Sequence, residues 1–427
     1  MLQRIRSSVL AASLVGMVPG LWAPGAASAT LSISCGAVGR ELALCKSGTE
    51  AWARQTGHTV RVVTAPSSTN ERLALYQQLL AARSTDVDVF QIDVIWPGIL
   101  ADHFVDLTPY INGSEQQHFP AIVANNRVAG RLVAMPWFTS AGLLYYRKDL
   151  LEKHGEPVPG TWWELTAVAR RIQQAERAAG NGRMWGFVWQ GRAYEGLTCD
   201  ALEWIASHGG GTVIDASGTV TVDNPAAAAA LDLAASWVGD ISPLGILNYA
   251  EEDARGVFQS GNAVFMRNWP YAWALAQAQD SPVKDRVGVA PLPKGGAEGS
   301  NASTLGGWQL AVSRYSQHPR LAADLVQYLT SEQEQKHRAI EASFNPSRPI
   351  LYEDAEVLAA NPFMGFLGDS MKDAVPRPSA VSGAHYNRVS NRFWNAAHSV
   401  LSGKQSAGPA LRRLARDLKR ILRRGRR

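Results

Sequence analysis

The stretch RNWPYAWA at residues 267–274 places Trp269, Tyr271 and Trp273 around Pro270, directly after GNAVFM, which reads as a buried strand. Large aromatics ordinarily pack in a core. Pro270 changes that expectation, because it lacks a backbone donor and fixes φ, so a central strand cannot run past Trp269. The rings therefore stand where strand gives way to loop, a position that serves function as readily as packing. Covalent chemistry has no comparable signal. The chain contains no G-x-S-x-G, H-E-x-x-H, C-x-x-C or metal-ligand spacing, and its nine histidines are scattered. Carboxylates are as plentiful as in any soluble chain, so a hydrolase built on a tuned pair is open but has no motif behind it. GGAEGSNAS at 295–303 lacks the Gly-Lys-Ser/Thr of a phosphate loop and reads as a flexible connection.

The elements that must position these rings begin after a leader. Arg4 and Arg6 precede an apolar run from Val9 to Val18, followed by small residues ending in Ala27-Ser28-Ala29. That layout predicts a secretory signal peptide over 1–29 and a mature chain from about Thr30. The run is too short to span a bilayer, and no later segment is long and apolar enough to do so. Cys35 follows Ser-Ile-Ser without the leucine of a lipobox, so the expectation is a soluble periplasmic protein. Cys35 and Cys45 could pair in an oxidising compartment, leaving Cys199 free; three small buried hydrophobes are the other reading, and the sequence leaves both open. The length, 427 residues, suggests two to three domains or lobes.

A sequence pI near 9.1 invites a nucleic-acid reading. The charge distribution argues against it. The formal charge is +5; the leader accounts for +2 and residues 412–427 for +8, which leaves −5 for residues 30–411. Leu411, Leu414, Leu418, Ile421 and Leu422 recur at helical spacing within that tail, so it reads as an amphipathic last helix with a cationic face. A solvated face is expected there, with anionic headgroups as the other reading.

From Thr30, strands and helices alternate. TLSISC, TVRVVTAP and DVDVFQIDVIW read as strands, separated by helices over GRELALCKSGTEAWARQTG and STNERLALYQQLLAARS, whose Leu73, Tyr76, Leu79 and Leu80 share a face. Such alternation predicts parallel βαβ units and an α/β class. The pattern restarts near GRLVAMPWFTSAGLLYYRKDLLEKHG, with later strand candidates at 185–189, 219–222 and 263–266 and a helix from Pro225. VGVAPLP and GGWQLAVS then return to strand.

Several stretches occur in order along the mature chain: DVDVFQIDVIWPGILADHFVDLTPYI, AGLLYYRKDLLEKHG with TWWEL, WGFVWQGRAYEGLTCD, FQSGNAVFMRNWPYAW, VGVAPLPKGG with TLGGWQLAVS, and AVPRPSA. Together they resemble the extracellular solute-binding proteins of ABC importers, family 1, and most closely the trehalose- and maltose-binding members. The resemblance implies a two-lobed periplasmic binding protein fold, type II-like, with ligand held in a cleft between the lobes. Lobe one would comprise 30–139 and 287–344, and lobe two 140–286 and 345–427. Open α/β sheets bind ligands beyond their strand C-termini, which puts Trp269 at the cleft.

A pyranose presents an apolar face that stacks on aromatic rings and a rim of hydroxyls that donate and accept. Matched to the family's pattern, Trp269 and Trp308 are the stacking platforms. Asp93 at the end of FQID, Arg72 and Glu41 would meet the rim, and Arg377 between two prolines would join them. Their other readings are a helix N-cap for Asp93, surface solvation for Arg72, a favourable first-turn charge for Glu41 and a surface salt bridge for Arg377. Gly306 and Gly307 would let the backbone approach the ligand or simply make a turn. Phe138 lies in the crossing segment, where close trehalose/maltose binders carry a tyrosine, with Ser140 where they carry an acid. Tyr194 and Glu195 are secondary candidates that read otherwise as helix surface. The function so implied is capture of a disaccharide such as trehalose or maltose and its delivery to an inner-membrane ABC permease, by a monomer, with no cofactor, metal or nucleic acid. The rivals are a glycoside-active hydrolase or lyase using Glu41 and Asp93, and a binder of polyamine, metal or peptide, which would need a strongly acidic or metal-ligating cleft.

Overall fold

A computed structural model describes residues 28–370 and 374–424, so the expected leader falls almost wholly outside the described residues. Among the described residues there are twelve strands: β1 (Thr30–Cys35), β2 (Thr59–Thr64), β3 (Val89–Asp93), β4 (Arg127–Val128), β5 (Arg131–Leu132), β6 (Met135–Ala141), β7 (Leu143–Arg147), β8 (Trp185–Val188), β9 (Ala263–Asn268), β10 (Val287–Ala290), β11 (Ser303–Val312) and β12 (Ala374–Val375). They form two main sheets, each with its own core, and the molecule is two-lobed.

The first sheet runs β12-β11-β3-β1-β2, with β6 also on β11. β1 pairs in parallel with both β2 and β3, through helices α1 (Glu41–Thr56) and α2 (Thr69–Ala81), as the alternating pattern predicts. Strand periodicity divides its side chains between two layers. Leu31, Ile33 and Val89 face a core with Leu44 and Trp52 of α1, while Phe90 and Ile92 face one with Tyr76 and Leu80 of α2. α1 ends at Gly57, whose left-handed conformation returns its N–H to the carbonyl of Ala53. β11 runs antiparallel to β3 and β6, a reversal that alternation alone does not disclose.

The second sheet runs β10-β7-β9-β8 and shares one core with the helices Trp162–Ala178, Glu195–Ser207 and Tyr386–Leu401. Trp162, Trp189, Trp204 and Trp237 meet there edge-on or tilted, so these four serve packing. β9 stops at Asn268, one residue before Trp269, where Pro270 requires it to stop. Two short strands depart from the expected division: β10 hydrogen-bonds to β7 of the second sheet, and β12 to β11 of the first. The strand expected at 219–222 is reduced to the second arm of a short hairpin: the Asp215 carboxylate accepts from the N–H groups of Ser217 and Thr219 at the turn, and beyond it only Val220 bridges to Ile214.

Cys35 and Cys45 form a disulfide, and Cys199 is free and buried. The tail is one helix, Ala407–Arg424, with Leu411, Leu414, Leu418 and Ile421 buried. Among the described residues no helix is long and apolar enough to cross a membrane.

Candidate functional site

Sheet register assembles one wall of the site. Trp308 on β11 lies opposite Asp93 on β3 and opposite Phe138 on β6, so three candidates share a row across adjacent strands. Gly307 and Gly306 follow opposite Thr139 and Ser140. Gly307 has φ 131°, and a Cβ there would stand 2.6 Å from the carbonyl oxygen of Phe138. At Gly306 a Cβ would meet Ser140 Oγ at 2.7 Å and the Trp269 ring at 3.1 Å. These glycines therefore leave room for the opposite strand and for an indole, beyond any approach to a ligand.

The opposite wall comes from the second lobe, with Trp269, Tyr271, Glu195 and Glu251 facing Glu41, Asp93, Phe138 and Trp308 across a cleft of about 720 Å³ of empty volume, part of it open to solvent. Trp269 is half-buried and its ring lies 3.9 Å from Cζ of Arg267. Arg267 is itself fixed: Nε donates to Glu203 Oε2 at 2.9 Å, Nη1 donates to Gln190 Oε1 at 3.0 Å, and Asp200 Oδ1 stands 3.1 Å away. Tyr145 donates to the carbonyls of Trp269 and Pro270 at 2.8 and 3.1 Å, which holds the turn after β9. Trp273 points elsewhere, donating to Ala360 O and packing on Phe363.

Trp308 has a matching support in Arg72, whose Cζ is 4.2 Å from the indole centroid. Arg72 is fully buried, so the surface reading of it is wrong. Its Nε donates to Pro66 O at 3.0 Å, while Nη1 and Nη2 have no hydrogen-bond partner. Glu41 opens α1; its carboxylate accepts from Gln91 Nε2 at 3.2 Å and, more loosely, from the Val38 N–H at 3.4 Å. Burial pushes the Glu41 carboxyl above the usual carboxylate range, against the pull of Arg72 and Arg338. Gly36 makes this cluster possible, since a Cβ would stand 2.0 Å from Glu41 Oε2 and 2.6 Å from Arg72 Nη2.

Arg377 joins the walls. Nη2 donates to Asp93 Oδ1 at 2.8 Å and Nη1 donates to Glu195 Oε1 at 3.0 Å, all three residues being buried. Asp93 also accepts from the Ile95 N–H at 3.2 Å, so it closes its own turn as well as facing the cleft. Tyr386 donates to Glu195 Oε1 and Ser390 to Oε2, which places Glu195 inside the molecule and corrects its reading as helix surface. The Glu195 N–H donates to Asn70 Oδ1 of α2 at 3.0 Å, a second tie between lobes. Tyr194 is buried too and donates to Glu251 Oε2 at 2.6 Å.

Sequence reasoning missed Asn345. It lines the cleft with zero exposure, and neither Oδ1 nor Nδ2 has a partner. Its backbone carbonyl accepts from the Thr139 N–H at 2.9 Å, which brings two chain segments together at the lobe crossing. Nothing in SFNPSRP marks it. Arg338 was missed as well: it stacks on Trp137 at 3.9 Å behind Phe138, and burial lowers its pKa to about 10.

Residues 45–336 match the profile of the family described as bacterial extracellular solute-binding protein. A probable ABC transporter-binding protein of Deinococcus radiodurans is 51% identical over 417 residues, covering 97% of this chain and 99% of the relative. Among solved structures, maltose-bound MalE3 of T. maritima superposes with a TM-score of 0.87 at 42% identity, over 92% of this chain and all of that one. The GacH receptor of Streptomyces glaucescens, solved unliganded and with acarbose, gives 0.81 at 25% identity, over 93% and 99%.

Proposed function

The chain belongs to the bacterial extracellular solute-binding proteins, and from that premise we propose that it is the periplasmic carbohydrate-binding subunit of an ABC importer, holding a trehalose- or maltose-type disaccharide between its lobes. The protein is a binding protein and not an enzyme, as its family and relatives are, so the hydrolase reading of Glu41 and Asp93 is set aside. The maltose in its 42%-identical neighbour supports the choice of sugar.

The observation that carries the reading is a cleft with two indoles, each braced by a buried arginine, and, lining it, a buried amide without partners: both Oδ1 and Nδ2 of Asn345. Leaving a buried donor or acceptor unsatisfied costs roughly 1–3 kcal/mol. A hydroxyl-rich ligand relieves that cost while its apolar face covers Trp269 or Trp308. Two of the four cleft carboxylates, Asp93 and Glu195, are already paired with Arg377, and the two indole faces suit a neutral polyhydroxylated ligand over a polyamine. We assign lobe one to 30–139 and 287–344 and lobe two to 140–286 and 345–427, with β10 and β12 exchanged across that division. Ligand contacts to both lobes would favour the closed pair, which the permease would read; the subunit would act as an exported monomer.

The test is calorimetric titration of the purified protein with trehalose, maltose, sucrose, glucose and mannitol, recovering each ligand afterwards. Saturable binding of an intact α-linked disaccharide is expected; a folded protein that binds none of them overturns the reading. Asn345→Leu should weaken binding of the preferred sugar by about tenfold, from the loss of one or two net hydrogen bonds. An unchanged Kd would remove Asn345 from the site.

A further inference from the structure

The last helix carries more positive charge than solvation of a helix end explains. Arg412, Arg413, Arg416, Lys419, Arg420 and Arg423 are all exposed. At 3.6 residues per turn they fall within about a third of the circumference, opposite Leu411, Leu414, Leu418 and Ile421, which are buried in the second lobe. The stripe is about 16 Å long. Along it Arg412 and Arg416, Arg416 and Arg420, and Lys419 and Arg423 are like charges four residues apart, and Arg413 and Arg416, Arg416 and Lys419, and Arg420 and Arg423 are like charges three apart. Each such neighbour pair is destabilising by about 0.2–0.5 kcal/mol in an isolated helix. Asp417 is the one acid on this helix, and it pairs with Arg420 at 2.8 Å. Asp232 accepts from the Ala407 N–H at the far end, and Asp215 is committed to its own turn. An anionic surface would relieve the repulsion that remains.

We propose that the exposed cationic face of helix Ala407–Arg424 docks the protein on anionic phospholipid headgroups. The apolar face is already used in the lobe's core, so the contact is peripheral: an array of charges laid on a surface, with no helix inserted. Each Lys or Arg near such a surface contributes a factor of about five in partitioning, and the whole is screened at high salt. Docking would confine the binding protein to the membrane plane, which raises its encounter rate with a membrane-embedded partner. The inference takes from the proposed function only the compartment, and it does not depend on which sugar is bound.

The experiment is vesicle co-sedimentation of the full chain with phosphatidylglycerol–phosphatidylcholine vesicles, against phosphatidylcholine alone, at low and high salt. The comparison protein is R412Q/R416Q/K419Q/R423Q, whose changed residues are all exposed and none of which lines the cleft, with sugar titration of both proteins in parallel. Expected are binding to the anionic vesicles alone, its loss at high salt, and a weakening of a hundredfold or more in the variant with sugar affinity unchanged. No sedimentation of the wild type with anionic vesicles, or equal sedimentation of wild type and variant, overturns the proposal. Wild type that fails to sediment yet binds soluble polyanions such as heparin also overturns it in favour of a different partner. Loss of sugar binding in both proteins would instead strike the proposed function.

Discussion

Arg377→Met is expected to abolish sugar binding and to destabilise the fold by about 3–5 kcal/mol, the usual effect of removing one partner from a buried ion pair. Asp93 and Glu195 then face each other across the cleft with the guanidinium gone. The destabilisation has a pH signature. Burial already holds the Glu195 carboxyl above the usual carboxylate range, and Arg377 is the largest opposing influence. Removing it raises that pKa further. A carboxyl whose folded-state pKa exceeds its unfolded value contributes most below the unfolded pKa and loses that contribution as pH rises. The gap in stability between variant and wild type should therefore narrow from pH 7.5 towards pH 4.5. Urea titrations at the two pH values measure it; a gap of equal size at both would show that the Arg377 charge is not what the carboxylates require. Arg377→Lys should fall between the two, because an ammonium restores charge but cannot serve two carboxylates from a planar fork.

Trp269→Ala is expected to raise the Kd by about thirtyfold or more, the scale of about 2 kcal/mol for removing a central aromatic anchor. Trp269→Phe keeps a flat apolar face and should recover much of that. The same two substitutions should change the melting temperature little, because Trp269 is half-buried and Arg267 retains Glu203 and Gln190. If alanine leaves the Kd unchanged, Trp269 is packing and the stacking role falls to Trp308 alone. A large loss of stability would point the same way.

How far the sequence reached follows from the kind of signal each residue leaves. The βαβ start, the end of β9 at Pro270 and the amphipathic last helix rest on local periodicity and on backbone chemistry that one residue imposes. The candidate residues came from motif likeness, and eight of the nine line one cleft, while Arg72 lies behind Trp308. What local reasoning could not supply was tertiary. Asn345 carries no spacing or charge that distinguishes it from any loop asparagine, and its importance comes from having no partner. Glu195, a secondary candidate, could not be told from helix surface, because Tyr386 and Ser390, which surround it, are nearly two hundred residues away in sequence. The strand expected at 219–222 shrinks to a single bridge because the turn closed by Asp215 pairs it back onto residues 213–215 alone and onto neither main sheet.

The row Asp93, Trp308, Phe138 spans three hydrogen-bonded strands, and the ladder between β11 and β6 has an irregularity just after Trp308. A slip of one residue in β11 would turn Trp308 to the other side of the sheet and bring a different residue opposite Asp93. Such a misfolded chain would keep its helices, its second sheet and most of its circular dichroism. Ligand affinity would disappear altogether. Recovery of sugar binding after denaturation thus scores the pairing of β11 with β3 and β6, and its lag behind recovery of secondary structure measures how long the chain searches for that one alignment.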